Sequence, residues 1–154
     1  MFFMKALQQG ELDCLCGIYS IVNAVYFVSH RKIKRKPLFN ELLLAYMNNW
    51  GIYDLLIGGL DIYQMQYLLN HISKLYKKLK IQPNEIKRRS TLKSNIITHL
   101  QSPNSIVLFS TNSHWSVINH YTDEELMLFD SCSIKSINIA EILPTSVFFI
   151  SFNP

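Results

Sequence analysis

Glycine and proline are scarce, at five each among 154 residues, and no repeat, low-complexity tract or linker-like run interrupts the chain. This excludes collagen-like and Pro/Gly-rich disordered sequences. Charged residues make up only 17% against 49% apolar ones, so the chain can fill a core and disorder is excluded as well. One globular domain over residues 1–154 is expected, because two independent cores would each sit near the lower size limit for folding alone.

Long apolar runs are also missing. The stretch from Gly17 to Val28 is broken by Tyr19, Ser20 and Asn23 and falls short of the roughly 20 residues that span a bilayer, so no membrane span is expected. The N-terminus, MFFMKALQQGELDC, lacks the charged-then-apolar layout of a secretory signal. The expected setting is cytoplasmic, or export as an effector by a route that the sequence does not reveal. Three cysteines are an odd number, and Cys14 and Cys16 stand too close for a stapling framework, so reduced thiols are expected. The net charge of +4 gathers in RKIKRKP, from Arg31 to Pro37, and between Lys74 and Lys93. Neither run has the aromatic interleaving of a nucleic-acid stacking platform, so solvated helix ends are expected and nucleic acid is disfavoured as a partner.

Ile18, Ile21, Val22, Val25 and Val28 recur at helical spacing, which predicts a buried first helix starting at Cys16. Phe39, Leu42, Leu43, Tyr46, Met47 and Trp50 mark a second helix that Gly51 would end. Gly58 and Gly59 form a turn before Asp61, which with Gln64 makes a capping-box pattern opening a third helix through Leu75. A fourth is expected from Thr91 to Gln101, closed by Pro103. After Pro103 come the strand-like runs SIVLFS, HWSVINHY, ELMLFDS and SVFFISF, rich in Ile, Val and Phe. The expected class is α+β, an N-terminal helical layer covering a C-terminal antiparallel meander.

Two features carry chemistry. A thiol becomes nucleophilic at neutral pH when a helix N-terminus or an imidazolium stabilises its thiolate, and Cys16 is placed for both. Gly17 would let a substrate carbonyl approach the backbone closely, and an upstream amide, Gln9 by preference or Gln8, would complete an oxyanion hole with the backbone N–H. His114 starts one strand and Asp130 ends the next. A hairpin turning near Tyr121 to Glu124 makes them neighbours, the arrangement in which a carboxylate orients an imidazole that serves a thiol.

The segment QQGELDCLCGIYSIVNA, with C-G-x-x-S-x-x-N from Cys16 to Asn23, followed by H-W-S-V-I and L-F-D-S, resembles the papain-like cysteine protease superfamily. The likeness is greatest to the bacteriocin-leader-processing peptidase-like branch and to bacterial effector proteases and deamidases, and it covers Gln8–Asn23 and His114–Ser131. It implies a central nucleophile-bearing helix packed on an antiparallel sheet, with Cys16 as nucleophile, His114 as base, Asp130 as orienting carboxylate and Gln9 or Gln8 as oxyanion amide. In many relatives an acidic residue directly precedes the catalytic Cys-Gly. Here Asp13 precedes Cys14, which therefore stands as the alternative nucleophile, while Ser20 and Asn23 favour Cys16.

The expected function is hydrolysis of a peptide, isopeptide or side-chain amide bond through a thioester, most simply by a peptidase acting on a protein or peptide. Glutamine deamidation and acyl transfer are the alternatives on the same constellation. No metal or organic cofactor is required. A rival class is a structural zinc site from Cys14, Cys16, His114 and Cys132, and another is a catalytically silent interaction module. Cys14 and Cys132 are otherwise expected to be small buried apolar residues, Trp115 a packing residue that shields the imidazole, and His30, His71, His99 and His120 exposed or structural. Asp123, Glu124 and Glu125 read as a solvated turn. With Cys16 only fifteen residues from the start, no inhibitory prosegment is expected.

Overall fold

The computed structural model describes residues 3–86 and 88–154. Helix α1, Cys16–Val28, is buried on almost every side, including Ser20 and Asn23, and so runs inside the domain rather than over it. It is followed by α2 (Arg35–Met47), α3 (Ile52–Gly58), α4 (Ile62–Leu75) and, after the first strand, α5 (Arg89–Leu100). Pro37 lies within the first turn of α2 rather than before it, where a missing amide hydrogen costs no intrahelical bond. Gly51 does not end α2; it precedes α3, a helix of seven residues, too short to show a periodic pattern. At α4 the Asp61 carboxylate accepts from the Gln64 N–H (2.8 Å) and the Gln64 amide oxygen from the Asp61 N–H (3.0 Å), which completes the expected capping box.

Six strands form one antiparallel sheet: β1 (Leu79–Pro83), β2 (Ser105–Ser110), β3 (Trp115–Tyr121), β4 (Leu126–Leu128), β5 (Ser136–Ile137) and β6 (Val147–Phe152), in the order β1-β6-β2-β3-β4-β5. The expected meander is corrected on two counts. Strand β1 lies in the helical half, hidden in the sequence because it is short and carries a lysine suited to a sheet edge. The last strand, β6, inserts between β1 and β2, pairing with both.

The single helical layer is also corrected, since both faces of the sheet are covered. Ile106, Leu108, Val117, Phe148 and Ile150 share a core with α1, α2 and α4, whereas Val107, Phe109, Ile118 and Val147 meet Leu92 and Ile96 of α5. The alternation follows from the two-residue period of a strand. Continuous runs such as SIVLFS are accordingly buried at every position. Among the described residues no helix is long and apolar enough to cross a membrane.

Two neighbours on α1 should respond in opposite ways. Ile21 is fully buried, so Ile21→Ala should cost about 2–5 kcal/mol in urea unfolding. The buried Ser20 hydroxyl has no hydrogen-bond partner among the described residues, so Ser20→Ala should raise stability by about 1 kcal/mol.

Candidate active site

The β3–β4 hairpin turns at Thr122, whose N–H donates to the Glu125 carbonyl (2.8 Å). Tyr121 pairs with Leu126 and His120 with Met127, but a bulge shifts the register so that Ile118 then pairs with Leu128. The Phe129 N–H donates to the Val117 carbonyl (2.9 Å), and two residues beyond Leu128 the same register sets Asp130 opposite Ser116. Without the shift Asp130 would oppose Val117, whose side chain points into the α1 core. A one-residue slip turns a side chain to the other face of a sheet. The bulge therefore places Asp130 on the face shared by Ser116 and His114.

Four hydrogen bonds hold the Asp130 carboxylate, whose side chain has 0% exposure. Oδ1 accepts from His114 Nε2 (2.7 Å) and Ser116 Oγ (2.5 Å), and Oδ2 from the backbone N–H groups of Cys132 (2.6 Å) and Ile134 (3.2 Å). Burial pushes this carboxyl up, but the bonds from His114, Ser116 and Cys132 outweigh it and hold the group below its ordinary 3.8. A carboxylate only accepts, so Nε2 carries the proton and Nδ1 is the nitrogen that Asp130 does not engage; Cys16 is close enough to the imidazole to raise its pKa. The bond to Asp130, then that to Cys16, push His114 from 6.5 up to about 9 against the opposing effect of burial.

Cys16 is the first residue of α1, where no side chain caps the helix. It is buried (9% exposed) and stands in the first turn of the helix, whose N–H groups have no intrahelical partner. Gly17 also lets Leu60 pack closely on the helix start: a Cβ there would lie 2.7 Å from Leu60 Cδ1 and 3.1 Å from Leu60 Cβ. Leu60 in turn accepts the Trp115 indole N–H on its carbonyl (2.8 Å), so Trp115 packs in the core beside the site. Gly59 turns at φ +72° with the Cys14 carbonyl against it, a conformation that favours glycine. Between these parts lies a cleft of about 320 Å³, lined by Cys14, Cys16, Gly58 to Ile62 and Ser110 to Trp115.

The residues preceding α1 are clamped at both sides. Asn23, fully buried, accepts from the Leu7 N–H (2.7 Å) and donates to the Leu7 carbonyl (3.1 Å). The Gln9 N–H donates to the Ser131 carbonyl (3.1 Å). The Gln8 amide donates to the carbonyls of Ala6 (3.2 Å) and Asp130 (3.0 Å) and accepts from the Ser133 hydroxyl (2.8 Å), whereas the Gln9 amide donates one long bond to the Asp13 carbonyl (3.4 Å) and accepts from the Ser131 hydroxyl (3.2 Å). Neither amide lines the cleft. Sequence reasoning found Asn23 without its role and missed Ser116, although its position two residues after His114 on one strand was the available signal.

The expected burial of Cys14 and Cys132 is corrected, since both are exposed, while Cys16 is the buried thiol. Cys14 precedes the helix and lies on the cleft rim, and Cys132 sits in the loop that wraps Asp130. His114, Asp130 and Cys132 offer ligand atoms within 4.8 Å of one another, so the metal-capable cluster differs from the four residues first considered and omits Cys14. It suits a cation poorly. A cation would compete with the hydrogen bonds on the Asp130 oxygen it used, and partial desolvation on the protein-facing side of the otherwise exposed Cys132, with the Asp130 carboxylate adding to it, pushes that thiol up and keeps it protonated. Of the other histidines, His71 meets Glu41 (2.7 Å) and His99 the carbonyls of Ile106 and Ile150. A larger cavity of about 730 Å³ between β1 and α5 includes His99 but no thiol. Compared with known proteins, the chain matches no family model and no curated protein.

Three outcomes are expected. By NMR, His114 should titrate near pH 9 and Asp130→Asn should bring its midpoint down toward 6.5. The stability contributed by the pair should be whole from pH 3.8, the ordinary carboxyl value, to 6.5, lost as pH rises through about 9, and lost again as it falls below 3.8. Asn23→Ala would leave the Leu7 N–H and carbonyl unpaired and should cost about 1–3 kcal/mol in denaturant unfolding.

Proposed function

We propose that the protein is a papain-like cysteine hydrolase, most simply a peptidase, with Cys16 as nucleophile, His114 as acid and base, and Asp130 as the orienting group. The observation that carries this reading is the imidazole held between the Cys16 thiol and the Asp130 carboxylate. Its elevated pKa keeps the imidazole protonated at neutral pH, and an imidazolium beside a thiol is the charge that stabilises a thiolate nucleophile. The thiolate attacks the acyl carbon, and the oxyanion is held by the Cys16 N–H; Gln9, which stands off the cleft, is not needed for this step. The imidazolium then protonates the departing amine as the C–N bond breaks. Water, deprotonated by His114, releases the thioester and restores the thiol.

Cys16 is favoured over Cys14 because it is the thiol in contact with the ring, while Cys14 is exposed on the rim. The same parts serve amide hydrolysis at a glutamine side chain, and the readout of the test separates the two reactions.

Candidate proteins incubated with wild type should show new termini by mass spectrometry if the enzyme is a peptidase, or a gain of about one dalton if it is a deamidase; Cys16→Ala should show neither while retaining the fold. Iodoacetamide should alkylate Cys16 rapidly, and His114→Ala should slow this by about 10²-fold or more. Full turnover by Cys16→Ala would refute the assignment.

A further inference from the structure

The cleft is not the only space that reaches His114. A second cavity of about 180 Å³ shares Thr111, Ser113 and His114 with it but lies toward α5, and Cys16 does not line it. Sites that enclose a whole small molecule are commonly about 300–1,000 Å³, so this one suits a single side chain. Its walls are apolar, formed by Phe109, Leu128, Ile134 and Ile137, with serine and threonine hydroxyls between them. At one side stands Glu141, its only acidic group.

We propose that this cavity is a subsite for one lysine or arginine side chain of the substrate, with Glu141 as the specificity-determining residue. The inference rests on the hydrolase reading and adds the substrate's chemistry to it. An aliphatic stem ending in a cation matches apolar walls and one carboxylate. Glu141 has no salt-bridge partner among the described residues, and the His114 imidazolium that shares the cavity is already paired with Asp130. The chain carries 15 lysines and arginines, yet none lines either cavity. The Glu141 backbone is fixed, because its N–H donates to the Asn138 carbonyl (3.0 Å) and the Ala140 N–H to the Asn138 side chain (2.9 Å). Glu141 is exposed at the edge of the cavity, where its carboxylate can pair a cation brought in on an aliphatic stem. Because the cavity touches His114 and not Cys16, it serves the side of the scissile bond that leaves with the amine.

A randomised synthetic peptide library, read by mass spectrometry, tests this. Wild type should enrich Lys and Arg on the released-amine side about tenfold, equivalent to about 1.4 kcal/mol. Glu141→Gln should erase the enrichment and Glu141→Lys should replace it with Asp and Glu. Cleavage without Lys or Arg enrichment, or enrichment that survives Glu141→Lys, overturns the subsite and leaves the hydrolase standing. A second readout needs no turnover: Nα-acetyl-lysinamide should protect Cys16 of wild type, but not of Glu141→Gln, from iodoacetamide, and the norleucine analogue should protect neither. Equal effects of the two compounds also overturn the subsite. Slow alkylation that is indifferent to His114→Ala removes the hydrolase reading, and the subsite with it.

Discussion

A carboxylate with no access to water is the constraint around which one end of this molecule is arranged. Left unpaired, a buried charge of this kind would be expelled or protonated. Asp130 stays ionised because β3 contributes a hydroxyl, the loop after β4 folds back to aim two amide N–H groups, and His114 supplies the remaining donor. That loop passes through Ser133 at φ +61°, a left-handed conformation disfavoured for a residue with a Cβ. The carboxylate bonds from Cys132 and Ile134 flank it and hold it there. Orientation of the imidazole follows from this solvation problem, and the contact with Cys16 follows from the orientation.

The partner of that imidazole is set by a second, separate set of contacts. Gly17 lets Leu60 pack tightly on the start of α1, the Leu60 carbonyl secures Trp115, and Trp115 is the residue next to His114. Helix start and strand start are thus tied through one leucine. Asn23 adds a third tie by binding the backbone ahead of the helix, and the residues it secures also bond to Ser131 and Asp130. Elements from both halves of the chain converge on this region, which is the rigidity that a preorganised site needs.

Much of this could be read from amino-acid order, and the limits have physical causes. The helix at Cys16 was visible because five aliphatic residues repeat at one period, and α4 because a capping box announces it. The proximity of His114 and Asp130 followed from the ends of a hairpin. What could not be read was the bulge between Ile118 and His120, since no glycine or proline marks it, although it decides which face Asp130 occupies. Strand β1 escaped because a five-residue edge strand with a lysine in it resembles the basic segments around it. The exposure of Cys14 and Cys132 depends on where loops cross the surface, which local composition does not encode. Ser116 was visible as a residue and silent as a ligand, because its partner is fourteen positions away.

The position of β6 has a consequence for how the molecule is made. Val147–Phe152 pairs on one side with β1, from the helical half, and on the other with β2, which leads toward His114. Until that segment has emerged from the ribosome, β1 has no partner and β2 has an open flank. Such distant pairings close slowly, because long loops must be ordered before any contact rewards them. A nascent chain therefore carries Cys16, His114 and Asp130 before the sheet beside them is complete, an order of assembly imposed by the place of β6 in the sequence.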